Sequence, residues 1–166
     1  NSIIAIYGDH QAITSADEDN RELMKKLLGY EYDVDEMTNV PLILHIPNSK
    51  IAKTNHIASG QLDFLPTILN LLGIDKGSIK FYGQDINNAE KGLAPAQYMV
   101  PKGTFIDDEK VYLASRDGIF ENGKAWDRKT KKPIDIRLCR ENYDKVIKGL
   151  RESEYLLTND LLFSDD

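Results

Sequence analysis

The sequence lacks the features that define several common classes of protein. Its 166 residues include a single cysteine, Cys139, so an internal disulfide is excluded, and an unreactive surface or core thiol is expected. No apolar run approaches the roughly 18 to 20 residues that span a bilayer. Acidic residues outnumber basic ones by 27 to 21, and the resulting net charge of -6 argues against a nucleic-acid partner and against a polybasic membrane patch.

Several catalytic signatures are also missing. The sequence contains no glycine-rich phosphate loop, no paired-cysteine zinc spacing, no internal repeat and nothing similar to the nucleophile elbow of the α/β-hydrolases. Its length suits one domain with a core of its own and is too short for two domains of ordinary size. We therefore predict a single domain over residues 1–166.

The most informative stretch is residues 2–10, which read Ser-Ile-Ile-Ala-Ile-Tyr-Gly-Asp-His. Residues 2–7 form a nearly continuous apolar run, which predicts a central strand covered on both faces within a parallel sheet. Gly8 allows a sharp turn, and Asp9 and His10 follow at the strand end, where open α/β sheets place their ligand crevice.

An adjacent carboxylate and imidazole are suitable ligands for a divalent metal ion. Two ligands are too few for a catalytic metal site, so Asp9 and His10 would need further ligands from elsewhere. On these residues alone, the favoured alternative is that Asp9 caps a turn and His10 is an ordinary loop residue. Only a wider pattern in the sequence decides between the two interpretations.

The next segments predict a helix, a connection and a strand. Residues 17–28 have acidic residues first, lysines late and an apolar stripe, which predicts an amphipathic packing helix that ends at Gly29. Residues 30–39 are polar and predict a solvated connection. Residues 40–46 predict a second strand of the same sheet, and His45, which lies within it, is interpreted as structural.

A second helix is predicted within residues 60–75. Pro66 suits its first turn, apolar residues recur at helical spacing, and Gly73 suits the left-handed position after its last turn. This pattern predicts a short core helix. Asp63 is interpreted as an acceptor for the free N–H groups at the start of the helix.

The last third of the sequence changes character. Short alternating segments predict an antiparallel meander with strands at 104–106, 110–115, 118–121 and 124–127, and Asn122-Gly123 predicts a type I′ hairpin turn. The aromatic side chains of this region are interpreted as packing residues rather than a ligand platform: Tyr112, Phe120 and Trp126. Helical spacing over residues 140–158 predicts a long closing helix.

Three stretches together carry a resemblance to a known family. They are residues 6–10 (Ile-Tyr-Gly-Asp-His), residues 40–47 (Val-Pro-Leu-Ile-Leu-His-Ile-Pro) and residues 60–75, which are followed by Gly-Gln-Asp at 83–85. In this order and spacing they resemble the carboxyl-terminal half of the alkaline phosphatase/sulfatase superfamily. The resemblance is greatest to its lipoteichoic acid synthase, or phosphoglycerol transferase, branch.

The resemblance implies an α/β fold. Residues 1–92 would form a fragment of a sulfatase-like sheet flanked by helices, and residues 93–166 would add the antiparallel meander and the closing helix. The sequence starts at Asn1 without a methionine and enters an apolar strand at once. We therefore expect the carboxyl-terminal part of a longer protein.

The resemblance also implies a metal site. In that family Asp9 and His10 would be ligands of one catalytic divalent ion, Mn²⁺ in the synthase branch, and a glutamate and a nucleophilic threonine would come from the amino-terminal half of the same catalytic domain. That half is the expected protein partner, and this chain would carry no catalytic nucleophile. The chain alone is therefore expected to be inactive and to bind Mn²⁺ poorly.

The implied enzyme transfers glycerol phosphate from phosphatidylglycerol to a growing glycerolphosphate polymer, lipoteichoic acid. It would act on the extracytoplasmic face of a bacterial membrane, anchored by amino-terminal transmembrane helices. One departure concerns Gln11 and Ala12, which stand where the synthases carry an aromatic residue.

Two alternatives stay open at this stage. A sulfatase or another phosphoryl transferase would use the same scaffold, although the imidazole of His10 favours Mn²⁺ or Zn²⁺ over the Ca²⁺ common in sulfatases. A module without catalytic activity, which binds cell-wall polymer or another protein, is the alternative from a different class.

Overall fold

A computed structural model describes residues 2–11, 13–75, 77 and 80–161. The described residues form two compact units, which are divided between Thr54 and Asn55. The first unit contains strands and helices in the order β1 (Ile4–Tyr7), α1 (Glu18–Leu28), α2 (Val34–Thr38) and β2 (Leu42–His45). The second contains α3 (Phe64–Leu72), β3 (Leu93–Ala96), β4 (Thr104–Asp107), β5 (Lys110–Leu113), β6 (Lys124–Asp127) and α4 (Arg140–Thr158).

This mixture of helices and sheets confirms the predicted α/β class, with a meander and a closing helix at its end. Three short 3-10 turns complete the described elements: Gln61–Asp63, Phe120–Asn122 and Ile136–Cys139. Within the described residues, no helix combines the length and apolarity needed to cross a membrane.

The sheet of the first unit differs from the prediction in direction and in burial. β1 pairs antiparallel with β2, so that Tyr7 lies opposite Leu42 and Ile4 lies opposite His45. The predicted parallel arrangement of these strands is therefore wrong. Ile4 and Ile6 are 52% and 59% exposed, so the expected cover on both faces is also missing within the described residues. An apolar run indicates that a strand tends to be buried, but it contains no information about the direction of that strand.

α1 confirms the predicted helix and its ends. Asp17 accepts a backbone N–H of the first turn, and Gly29 adopts the left-handed conformation with φ 83°. The predicted packing role of its apolar stripe is not seen in the described residues, because three leucines of the stripe are largely exposed: Leu23, Leu27 and Leu28.

The segment 30–39 is not the solvated connection that its polarity predicts. It contains α2 and the best-buried side chains of the first unit, Tyr32, Val34 and Met37. The Tyr32 hydroxyl donates to the carbonyl oxygen of Ile13 at 2.8 Å. Two of the four acidic residues of this segment, Asp33 and Glu36, form a capping box at the start of α2, so the abundance of acidic residues does not indicate a solvated loop.

The second unit has a four-stranded antiparallel sheet in the order β3-β4-β5-β6. The predicted meander accounts for β4, β5 and β6, whereas β3 was not predicted as a strand. Phe105 and Tyr112 face each other across β4 and β5, and their ring centroids lie 5.6 Å apart. Tyr112 also stacks on Phe120 at 5.1 Å, and its hydroxyl donates to the Phe120 carbonyl oxygen at 3.0 Å. The packing interpretation of Tyr112 and Phe120 is therefore confirmed. Cys139 is fully buried beside them and is a core thiol.

α4 closes this core with the predicted bounds. Val146 is buried against the sheet, and the Tyr143 ring lies edge-on to Tyr112 at a centroid distance of 5.4 Å. Gly103, at φ 99°, lies directly beneath this helix, because a Cβ there would meet the Tyr143 ring at 2.7 Å. The helix can therefore lie close to the β3–β4 hairpin only because this position is glycine.

Two details of the meander were predicted wrongly. Residues 118–121 do not form a strand, and Asn122-Gly123 does not form a type I′ turn, because Phe120–Asn122 is a 3-10 turn. Gly123 has φ -71°, which any residue adopts. A Cβ at Gly123 would lie 2.7 Å from the Tyr112 ring, so the glycine provides space for the buried aromatic side chain rather than a positive φ.

α3 also matches the prediction in position but not in burial. It spans Phe64–Leu72 and ends at Gly73 with φ 66°. Its leucine stripe, which predicted a core helix, leaves Leu65 and Leu72 largely exposed, whereas Pro66 and Thr67 are the buried residues.

Two aspartates organise the loops around α3. Asp63 is buried, and its carboxylate accepts the Gly60 and Gln84 N–H groups, both at 2.8 Å. The predicted capping role therefore applies to the turn Gln61–Asp63 rather than to α3 itself. Asp108 accepts the N–H groups of Ala58 and Gly92, both at 2.7 Å.

The buried phenol of Tyr112 predicts a loss of stability at alkaline pH. Burial raises its pKa from 10.0 to about 12, so the neutral phenol stabilises the fold fully below pH 10.0 and this contribution is lost as the pH rises through about 12. We expect Tyr112→Phe to flatten this part of the pH profile and to lower the free energy of unfolding at neutral pH by about 1 kcal/mol, because one hydrogen bond is removed. Urea denaturation from neutral pH to about pH 12 measures both effects.

The control is Tyr98→Phe, since the Tyr98 side chain is largely exposed. Burial also raises the pKa of the Cys139 thiol, from 9.0 to about 11, with the same sign. Both variants are therefore made in a Cys139→Ala background. A flattening of equal size in the two variants would contradict the assignment to Tyr112.

Candidate metal centre

The candidate metal ligands lie side by side at the end of β1. His10 Nε2 is 3.6 Å from Asp9 Oδ1, and the two side chains are 66% and 82% exposed, respectively. The adjacent pair predicted from the sequence is therefore accessible at the surface of the first unit, and the two donor atoms lie close enough together to approach one metal ion.

A backbone hydrogen bond fixes the chemistry of His10. Its Nδ1 lies 2.8 Å from the carbonyl oxygen of Gln11, which can only accept, so Nδ1 carries the hydrogen. In the neutral ring Nε2 then holds the lone pair, and this is the nitrogen nearest to Asp9. Metal-binding histidines commonly make this arrangement, in which a carbonyl oxygen fixes the tautomer.

Gly8 positions the pair by its small size. Its N–H donates to the Pro41 carbonyl oxygen at 3.0 Å, which extends the contact between β1 and β2 to the residue before Asp9. A Cβ on Gly8 would lie 2.7 Å from Val40 Cβ. The expected sharp turn is not the reason for this glycine, since Gly8 is not among the residues with positive φ. The close approach of Val40 is the reason.

The antiparallel register separates the remaining histidine of the sheet from this pair. His45 lies opposite Ile4, whereas Tyr7, which precedes the pair, lies opposite Leu42. Three residue steps along a strand correspond to about 10 Å. His45 is therefore at the other end of the sheet from the pair, and it is exposed there rather than buried as its structural interpretation expects. Ala12, at which the sequence departs from the synthases, lies outside the described residues.

A cluster of carboxylates that the sequence reasoning missed lies at the start of α2. One oxygen from each of Asp33, Asp35 and Glu36 lies within 4.8 Å of the others. A capping box explains two of them, because the Asp33 side chain accepts a helix N–H and Glu36 accepts the Asp33 N–H. The spacing Asp-x-x-Glu before a buried residue was the signal for this helix start. Helix capping therefore accounts for Asp33 and Glu36, whereas Asp35 is buried and is not part of the capping box.

Comparison with known proteins identifies the relatives of the chain. No model of a known protein family matches it. Lipoteichoic acid synthase 2 of Bacillus subtilis (strain 168) is 32% identical over 167 residues, and the match covers 97% of this chain and 23% of the relative. The lipoteichoic acid synthase of Staphylococcus aureus (strain NCTC 8325 / PS 47) is 31% identical over 170 residues, with the same two coverages.

The likeness extends to three dimensions. The crystal structure of the lipoteichoic acid synthase LtaP from Listeria monocytogenes superposes with a TM-score of 0.80 at 24% identity, and it covers 99% of this chain and 40% of that chain. The two chains therefore share a fold. The present chain spans only 23% of the length of the curated synthases named above. The chain is therefore similar to lipoteichoic acid synthases over 97% of its own length and corresponds to one part of theirs.

Proposed function

We propose that the chain is the carboxyl-terminal part of a metal-dependent phosphoglycerol transferase that makes polyglycerolphosphate, the chain of lipoteichoic acid, from phosphatidylglycerol. The observation that carries the proposal is the Asp9–His10 pair, whose donor atoms lie 3.6 Å apart. It occurs in a chain that is similar to lipoteichoic acid synthases over 97% of its length.

The donor set fits a divalent ion. Metal–ligand bonds of about 2.0 to 2.2 Å can meet at one ion when a carboxylate oxygen and an imidazole nitrogen are separated by the observed distance. The mixed oxygen and nitrogen donors favour Mn²⁺ or Zn²⁺ over Ca²⁺, and we propose Mn²⁺. Such an ion lowers the pKa of a nucleophilic hydroxyl and offsets charge on phosphoryl oxygens.

In this mechanism Asp9 and His10 would bind the metal ion from one side only. Asp9 supplies an anionic oxygen, and His10 supplies Nε2 in a tautomer that the Gln11 carbonyl oxygen maintains. The glutamate and the nucleophilic threonine belong to the amino-terminal half of the same catalytic domain, outside this chain. The active site is therefore divided between two parts of one longer protein, and we place both units of this chain in that single domain.

The surface of the first unit supports this division. The β1–β2 sheet exposes a set of large apolar side chains: Ile4, Ile6, Tyr7 and Ile43. Exposed apolar surface of this kind marks a contact with another part of a protein. We propose that the amino-terminal half covers this sheet, and that transmembrane helices of the longer protein hold the domain on the extracytoplasmic face of a bacterial membrane.

The first test measures metal binding by the isolated chain. Because it provides two ligands, we expect weak binding of Mn²⁺, with a Kd of about 1 mM or above, and no turnover of phosphatidylglycerol. Isothermal titration calorimetry should show that binding is lost in Asp9→Asn and His10→Gln. His45→Gln is the matched control, since this histidine is exposed at the opposite end of the same sheet. Equal loss in the control, or robust turnover by the isolated chain, would contradict the proposal.

The second test concerns the close contact of Gly8. In the full-length protein, Gly8→Ala forces its new Cβ against Val40 and displaces Asp9 and His10. We expect polymer synthesis to fall by about 100-fold, the effect of a misplacement of about 1 Å at a catalytic site. Adding Val40→Gly removes the obstructing Cβ and should restore most of the activity and the Mn²⁺ affinity. A double variant as impaired as Gly8→Ala would show that this contact does not position the pair.

A further inference from the structure

The hairpin between β3 and β4 presents an apolar tip that the metal site does not use. This hairpin tip, residues 97–103, has the sequence Gln-Tyr-Met-Val-Pro-Lys-Gly. Tyr98 and Met99 are 72% and 59% exposed, and Val100 is half-buried. Three consecutive apolar residues at a turn are unusual, since turns normally carry polar residues.

The hairpin tip is held in place from several sides. Ala96 pairs with Thr104 at its base, and the Thr104 hydroxyl donates to the Pro101 carbonyl oxygen at 2.8 Å. Lys102 Nζ lies 2.7 Å from Glu154 Oε2 of α4. The exposed side chains therefore belong to an anchored turn and not to a frayed one.

Met99 adopts a backbone conformation that its side chain disfavours. Its φ is 63°, in the left-handed region that glycine and asparagine adopt far more readily. Its side chain makes no large buried contact in return, because more than half of it is exposed. Residues in such conformations are concentrated at binding sites and switch regions.

The charge around the hairpin tip differs from that of the whole chain. Residues 91–106 contain no aspartate or glutamate, although the chain has a net charge of -6. Lys91 and Lys102 are their only charged residues, and Lys102 is paired with Glu154. The segment is therefore close to neutral or slightly positive, and an anionic surface would repel it less than the acidic parts of the chain.

We propose that the hairpin tip contacts a lipid surface, with Tyr98 at the level of the headgroups and Met99 in the adjoining acyl region. A tyrosine ring with a polar end is the side chain that membrane–water interfaces favour. Two side chains offer far less than the roughly 800 Å² per partner of a stable protein interface, whereas a lipid surface needs no matching shape. The contact is weak and reversible. It orients the domain on a membrane, and the presence of that membrane rests on the proposed function.

A fluorescent label tests this contact without turnover. Gln97→Cys places a thiol next to Tyr98 and retains both apolar residues, and Cys139 does not compete for the label because it is fully buried. The label is an environment-sensitive dye, and the vesicles contain phosphatidylglycerol and phosphatidylcholine. We expect a blue shift of the dye emission on vesicle addition, and quenching by lipids brominated in the upper acyl chain. Arg116→Cys, on the exposed β5–β6 connection, carries the control dye and should not respond.

Vesicle flotation of the unlabelled chain gives the second measurement. Tyr98→Ser with Met99→Asn should reduce the vesicle-bound fraction by about tenfold, since two partly immersed apolar side chains are lost, and asparagine tolerates the left-handed backbone. The control is Ile119→Ser with Leu138→Ser, which removes two side chains of similar exposure, 50% and 64%.

An equal reduction in the control, or no response of the dye at residue 97, would overturn the proposal. A blue shift that depends on protein concentration without vesicles would also overturn it, in favour of contact with a second copy. Because neither readout requires catalysis, a failure here leaves the metal-binding and activity tests of the proposed function intact.

Discussion

Two aspartate carboxylates hold together the parts of the second unit that have the least regular structure. Asp108 binds the N–H groups of Ala58 and Gly92 at 2.7 Å, and Ala58 is 50 residues away in sequence. Asp63 makes the equivalent link between Gly60 and Gln84. Buried backbone N–H groups need an acceptor, and charged acceptors form the stronger hydrogen bonds. The loops around α3 and the edge of the meander depend on these links.

The glycines beside these links show how closely the loops are packed. A Cβ on Gly83 would lie 1.9 Å from the Leu62 carbonyl oxygen, and one on Gly92 would lie 2.3 Å from the Ala58 carbonyl oxygen. Backbone therefore packs directly against backbone in this region. The aspartates act at these contacts, since a carboxylate can reach two N–H groups on separate segments where no sheet or helix pairs them.

Local signals in the sequence were sufficient for three of the four described α-helices, α1, α3 and α4, but not for α2. α4 has the predicted bounds because its apolar spacing extends over many turns, and α1 and α3 end at the glycines that predicted their ends. Spacing did not establish how deeply α1 and α3 are buried. Burial depends on which surfaces pack against a helix, and the residues of the helix do not specify them.

Local patterns in the sequence did not predict the direction of the strands or the structure of residues 30–39. β1 and β2 carry apolar runs that suit a buried parallel sheet, but their antiparallel register is a property of the pair. The acidic residues within 30–39 led to the prediction of a solvated connection, although three apolar residues there are buried. A carboxylate that caps a helix and one that is solvated belong to the same residue types, so the sequence alone does not distinguish them. The prediction of a type I′ turn at Asn122-Gly123 was wrong for a related reason, since the space required by the Tyr112 ring is a non-local constraint.

The candidate pair was predicted from the sequence, whereas its geometry was not. Asp9 and His10 were found from their type, their position after an apolar run and the resemblance of three stretches to one family. The tautomer of His10 and the role of Gly8 against Val40 could be found only from the structure. Whether both donors bind an ion together is the subject of the proposed function.

The two-stranded sheet of the first unit has a consequence for handling the isolated polypeptide. Among the described residues, β1 and β2 each have one strand neighbour, so the outer edges of both strands are open to further pairing. Open edges with apolar side chains are templates for intermolecular sheet growth. The net charge of -6 keeps copies apart through repulsion that salt screens, so concentrated solutions at high ionic strength favour aggregation of this polypeptide.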